Sequence, residues 1–164
     1  MTDVSITARK AGNVHNIPVE IGNTYFDAKF DTGAGVTVIS ASVFCDNWSE
    51  DMAKKLEAFC KERGCHIEEF NSASGHVIKG YPVVVRDIVI DATRFQEFHY
   101  FFIVNGTRVV ALLGDDFIEN CRYHHEPHGD IQITGFDFEY YAAQKNNPVD
   151  NGTLLEFLDE IGEE

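Results

Sequence analysis

Apolar and polar residues alternate along much of the first half of this chain. Ile17, Val19 and Ile21 fall on one face and Phe26, Ala28 and Phe30 on another, with Gly22-Asn23 between the two runs. A period of two places such residues on one side of a half-buried strand, and a two-residue link containing Gly predicts a hairpin. The second strand of that hairpin runs directly into Asp31. Residues 81–90 are rich in Val and Ile and predict a long strand with an irregularity near Arg86-Asp87. Residues 98–104 and 109–113 flank Asn105-Gly106, a second hairpin signal, and residues 131–140 predict a late strand bent at Gly135.

The period changes in three places. Met52, Leu56, Phe59 and Cys60 stand at helical spacing within residues 50–63. Asn47 or Ser49 suits the start of that helix, Glu50 and Asp51 its first turn, and Gly64 its end. A short helix starts near Asp115, and a last one runs over residues 153–161, after the linker-like loop 146–152. Many strands, few helices and no regular strand–helix alternation predict an all-β architecture, closed or sandwiched.

Composition narrows the function classes. The 164 residues suffice for one domain with a substantial core. A net charge of −14 argues against a nucleic-acid partner, which needs clustered Lys and Arg; it is compatible with basic peptide substrates and otherwise reads as solubility. No apolar run approaches the roughly 18 residues that span a bilayer, and Met1-Thr-Asp-Val-Ser carries no basic-then-apolar leader. The expectation is therefore a soluble, cytoplasmic protein without a membrane partner. Cys45, Cys60, Cys65 and Cys121 include no Cys-x-x-Cys pair and read as free thiols.

Three short segments carry the candidate chemistry. The first is Phe30-Asp31-Thr32-Gly33-Ala34-Gly35-Val36-Thr37-Val38-Ile39-Ser40, an acid at a strand end, a Gly turn and a second apolar strand. The second is Val109-Val-Ala-Leu-Leu-Gly114-Asp115-Asp116-Phe117-Ile118, an aliphatic strand entering a helix through Gly. The third, Phe70-Asn71-Ser72-Ala73-Ser74-Gly75-His76-Val77-Ile78-Lys79-Gly80, has small residues at a hairpin tip between β-formers. Each alone is commonplace: a turn, a buried strand before a helix, a surface hairpin.

Together, and in this order, they resemble the single-domain retropepsin-like aspartic proteases over residues 15 to about 140. The resemblance implies a closed acid-protease β-barrel, one lobe per chain, assembled as a symmetric homodimer. It implies a protease domain over residues 1–141, with a helical insertion at about 46–64, and an acidic tail at 142–164. It assigns catalysis to Asp31, the active-site loop to Thr32, Gly33 and Ala34, and a substrate-covering flap to Ala73, Ser74, Gly75 and His76. Leu112, Leu113, Gly114 and Asp116 would support the loop. Asp115 departs from the family, where many relatives carry Arg.

Asp-Thr-Gly occurs once, and 164 residues cannot hold two pepsin-like lobes. The resemblance thus implies that two chains each supply an Asp31. One carboxylate would draw a proton from water while the other, protonated, holds the scissile carbonyl. Peptide would be the substrate, and neither metal nor other cofactor is called for. A dimeric interaction module that performs no hydrolysis is the alternative, because fold does not fix function. In either reading Leu154, Leu155, Phe157, Leu158 and Ile161 could contact the partner chain, and in a self-processing protease residues 4–6 or the tail could be a cleavable extension.

Other constellations weigh less. His124-His125-x-x-His128 near Cys121 has metal-like spacing, with Cys60, Cys65 and His66 as conceivable partners, but Pro127 and Gly129 predict an exposed turn. Gly33-Ala34-Gly35 lacks the third Gly of a dinucleotide loop, since Val38 stands in its place. Ser72 and Ser74 near His76 lack a Gly-x-Ser-x-Gly elbow.

Overall fold

In the computed structural model, described for residues 1–71, 75–104, 111–143 and 149–162, the strands close on themselves. They are β1 (Thr2–Ala11), β2 (Val14–Ile21), β3 (Thr24–Phe30), β4 (Val38–Ser40), β5 (Glu68–Asn71), β6 (Val77–Ile90), β7 (Thr93–Ile103), β8 (Ala111–Leu113), β9 (Cys121–His125), β10 (Ile131–Phe136) and β11 (Val149–Asp150). Strands β6, β7, β4, β8, β3 and β2 follow one another in space, and pairing of Val19 with Ile90 and Glu20 with Val89 joins the two ends. The result is a six-stranded closed barrel, mainly β, as expected. Strands β1, β10 and β9 continue from β2 as a flanking sheet.

The alternation sets the core. Ile17, Val19, Ile21, Ala28 and Phe30 are all buried, and β2 and β3 form the expected hairpin, with Gly22 at φ 59° in its turn. Phe98, Tyr100 and Phe102 alternate along one face of β7, and with Phe95 of the same strand they are buried in the main core. The irregularity in β6 is at Asp87, whose φ is 62°. The late strand bends at Gly135, where the β10–β9 register shifts.

The helices are α1 (Ala41–Phe44), α2 (Glu50–Glu62), α3 (Asp115–Ile118), α4 (Phe138–Ala142) and α5 (Asn151–Gly162). The Ser49 side chain caps α2 by accepting the Met52 N–H, and Met52, Leu56 and Cys60 face inward. Phe59 of α2 meets Phe157 of α5 at 4.6 Å between ring centroids, so the two helices brace each other.

Five expectations are corrected. Strand β8 does not form a hairpin with β7; it pairs with β3 in parallel and β4 in antiparallel sense. Its three residues are buried on both faces, which suits a strand sandwiched between neighbours rather than a hairpin arm. The link Asn105-Gly106 lies outside the described residues, as do residues 146–148 of the loop 146–152. The late strand stops at Phe136 because Asp137 accepts the Tyr140 N–H and starts α4. Residues 4–6 are no loose extension: β1 pairs with both β10 and β2, and Ile6 and Ala8 are fully buried. His124 and His125 end strand β9 rather than occupy a loop.

The last correction concerns the tail. Leu154, Phe157 and Leu158 are buried against the chain's own core, β11 adds to β6 in parallel, and Asn151 receives a hydrogen bond from the buried Tyr100 hydroxyl. Those leucines and Phe157 are therefore not open to a partner chain. No described helix is long and apolar enough to cross a membrane.

Candidate active site

Asp31 is the first residue beyond β3, and its N–H donates to the Leu113 carbonyl of β8 at 3.0 Å. The chain then turns sharply. Ala34 N–H donates to the Asp31 carbonyl at 3.2 Å, and Gly33 N–H donates to Asp31 Oδ1 at 2.9 Å. The second bond is an Asx turn, so the carboxylate is fixed by the backbone that follows it. Its other oxygen, Oδ2, stands 3.6 Å from Lys29 Nζ. The Asp31 side chain is 28% exposed, and Thr32 and Gly33 are exposed beside it.

What makes the loop rigid lies beneath it. Strand β8 runs between β3 and β4, the two strands that residues 31–37 connect, so the loop straddles the end of β8. Gly114 passes directly under it. A Cβ there would lie 2.4 Å from the Val36 carbonyl oxygen and 2.8 Å from that of Ala34. Asp115 N–H donates to the Ala34 carbonyl at 2.7 Å.

Thr37 completes the clamp. Fully buried, it donates through Oγ1 to Asp116 Oδ1 at 2.6 Å and through its N–H to Asp116 Oδ2 at 3.0 Å. Its Oγ1 accepts the Gly114 N–H at 3.1 Å, and its carbonyl accepts the Phe101 N–H at 2.9 Å. One hydroxyl thus ties loop, strand end and helix start together. Sequence reasoning includes Thr37 in the motif but gives it no role. No local signal marks that role, since the partner Asp116 lies 79 residues away.

Burial raises the proton affinity of Asp116 above the ordinary carboxylate value, and the Thr37 and Phe117 hydrogen bonds oppose that shift without cancelling it. The folded state therefore binds this proton more tightly than the unfolded state does. Asp116 consequently favours folding most at low pH, and that contribution is lost as pH rises from the unfolded carboxylate range through the folded value. Thr37→Val should cost about 2–4 kcal/mol, because it strands a buried carboxylate oxygen and the Gly114 N–H. The loss should be greater at pH 7 than at pH 4, since the hydroxyl favours the ionised acid. Urea unfolding of both proteins at the two pH values checks this; equal midpoints throughout would refute the clamp.

The hairpin of β5 and β6 stands over the same side. Phe70 pairs with Ile78, and the Phe70 ring meets Phe101 at 4.7 Å. Gly80 lets the hairpin base close on β7, since a Cβ there would lie 2.9 Å from Ile103 Cδ1. Val38, Ile103 and Leu112 form an apolar cluster separate from the main core, joined by Ala34, Val36, Ile78 and Phe101. Ala34 and Val36 of the Asp31 loop thus pack with Leu112 of β8 and Ile78 of the hairpin stem. Gly75 (φ 84°) and His76 begin the hairpin's return. Ala73 and Ser74 lie outside the described residues.

The histidines are separately engaged. His124 Nε2 lies 2.7 Å from Glu126, His128 Nε2 lies 3.1 Å from Asp130, and His15 Nε2 lies 2.8 Å from the Gly129 carbonyl. Among the described residues no three His, Cys, Asp or Glu side chains gather as a metal site. All four cysteines are free, and burial pushes the Cys60 and Cys121 thiols up to about 12.

No family model and no curated protein matches this sequence. Among solved structures, a retropepsin-like aspartic protease from Rickettsia conorii aligns at 15% identity with a TM-score of 0.49. The alignment covers 80% of this chain and 98% of that one.

Proposed function

We propose that this chain is an aspartic endopeptidase of the retropepsin-like kind, active as a homodimer in which each copy contributes Asp31. The observation that carries the reading is the Asp31 loop: a partly exposed carboxylate oriented by Gly33 N–H, on a turn clamped from below through Gly114, Thr37 and Asp116. A carboxylate held this firmly, on a loop whose Ala34 and Val36 pack on an apolar cluster, is preorganised for proton transfer to and from a bound water.

One carboxylate alone cannot both accept the proton of water and donate to the carbonyl it attacks. Thr32 and Gly33 are exposed beside Asp31, which leaves the loop tip open to a second loop across a twofold axis. In such a pair the ionised Asp31 takes the proton of water as its oxygen attacks. The protonated Asp31 donates to the carbonyl oxygen as that oxygen gains charge, and the proton then passes to the leaving amine. Thr32 holds the two loops in register, and Ala73, Ser74, Gly75 and His76 cover an extended peptide from above. Leu112, Leu113, Gly114 and Asp116 keep the loop in place. The peptide adds its backbone between hairpin and floor, with side chains in the apolar cleft.

The test is incubation of the purified chain with a mixed peptide library from acidic to neutral pH, read by mass spectrometry. Endoproteolytic products that a statine-type transition-state mimic suppresses are expected. A confirmed dimer that yields no products at any pH would exclude the reading for general peptide substrates.

A further inference from the structure

The row of residues that runs past Asp31 is not uniformly apolar, and its exception lies next to Asp31. Arg9, Asn16, Lys29, Leu112, Val38 and Phe101 form one cross-strand row through β1, β2, β3, β8, β4 and β7. Phe30 and Leu113, one step along, face the main core. Lys29 and Leu112 therefore face the other way, the side of the Val38–Ile103–Leu112 cluster, and the Lys29 contact puts the Asp31 carboxylate on that side too. From β8 onward the row is apolar; from β3 back to β1 it is polar, with Lys29 on β3, Asn16 on β2 and Arg9 on β1. Arg9 lies two strands beyond Leu112's neighbour Lys29, and its charge also acts on Asp130.

Lys29 is 44% exposed, and its ammonium stands 3.6 Å from Asp31 Oδ2. That separation exceeds a direct hydrogen bond, and an ammonium has three donors. The group can therefore turn toward another acceptor without leaving the neighbourhood of Asp31. In the homodimer proposed above, each Asp31 carries its own Lys29, so an extended peptide whose scissile carbonyl sits at the paired Asp31 residues passes one flanking side chain toward one of these nitrogens. We propose that Lys29 is a specificity-determining residue that selects Asp or Glu beside the scissile bond. The inference rests on the endopeptidase reading above. With a net charge of −14, the molecule as a whole does not attract acidic peptides, so the selection is local.

The experiment uses the full chain and a synthetic peptide library in which each position flanking the cut is scanned with Glu and with Gln. The quantity read is the Glu/Gln ratio of kcat/KM, so a general change in rate cancels. The wild type should favour Glu by about tenfold at low salt at one of the two positions, falling as salt is added. Lys29→Arg should keep that preference, Lys29→Met should bring the ratio to about one, and Lys29→Glu should reverse it. A wild-type ratio near one would overturn the proposal, as would a preference that survives in Lys29→Met. So would an equal loss on both peptides in Lys29→Met, which would make Lys29 a counter-ion to Asp31 alone. Each of these outcomes leaves Asp31-dependent hydrolysis standing. Absence of any hydrolysis that Asp31→Asn abolishes would remove the proposal together with the reading beneath it.

Discussion

Asp31→Asn should abolish peptide hydrolysis, lowering kcat/KM by at least about a thousandfold. Asn can still accept the Gly33 N–H through its carbonyl oxygen, so the turn survives. It cannot take a proton from water. The side chain is partly exposed and bonds only locally, so stability should change by less than about 1 kcal/mol. Initial rates on a cleaved peptide, with thermal melts of both proteins, separate lost chemistry from lost fold. A variant that still cleaves at the wild-type rate would move the reaction away from Asp31. Subunit exchange sharpens the result: if every active unit needs two intact copies, an equal amount of Asp31→Asn should lower wild-type activity to about half. Activity unchanged after complete exchange would mean that one carboxylate suffices.

Gly114→Ala should be the most damaging glycine-to-alanine change among the described residues, at more than about 4 kcal/mol. The added Cβ meets backbone oxygens on two residues of the Asp31 loop, the nearer at 2.4 Å. Neither oxygen belongs to a flexible side chain, so the loop must lift off β8. That breaks the Asp115–Ala34 and Gly114–Thr37 hydrogen bonds together. Gly35→Ala is the control, since a Cβ there has nothing within 4 Å. Urea unfolding followed by circular dichroism should find Gly35→Ala close to wild type and Gly114→Ala mostly unfolded. Similar midpoints for the two would show that the loop accommodates the methyl.

These two glycines show what can and cannot be read from a chain. Local periodicity reveals β2, β3 and α2 because a strand face or a helix face is written in consecutive residues. Gly22-Asn23 and Ser49 mark their ends through short-range chemistry. Strand β8 is different. Three buried residues after a run of valines resemble a hairpin arm, and nothing nearby says that β3 and β4 enclose them. The partnership of Thr37 with Asp116 is equally silent, since a Thr and an Asp far apart in sequence carry no mark of contact. Nor does alternation in β1 announce itself, because only Ile6 and Ala8 of that strand are fully buried. The tail reads as an acidic appendage because its charges are local, while the pairing of β11 with β6 that anchors it is not.

The threading of β8 between β3 and β4 also dictates when the site can exist. The Thr37–Asp116 bond spans 79 residues and the Thr37–Gly114 bond spans 77. Closing so long a loop has an entropic cost that local structure cannot offset, and non-local pairings of this kind form slowly. During synthesis, the β2–β3 hairpin can form as soon as it emerges, yet Asp31 stays unorganised until residues 111–116 arrive. A chain that is still growing carries the acid without its clamp, and competence arrives late, in one cooperative step with closure of the barrel.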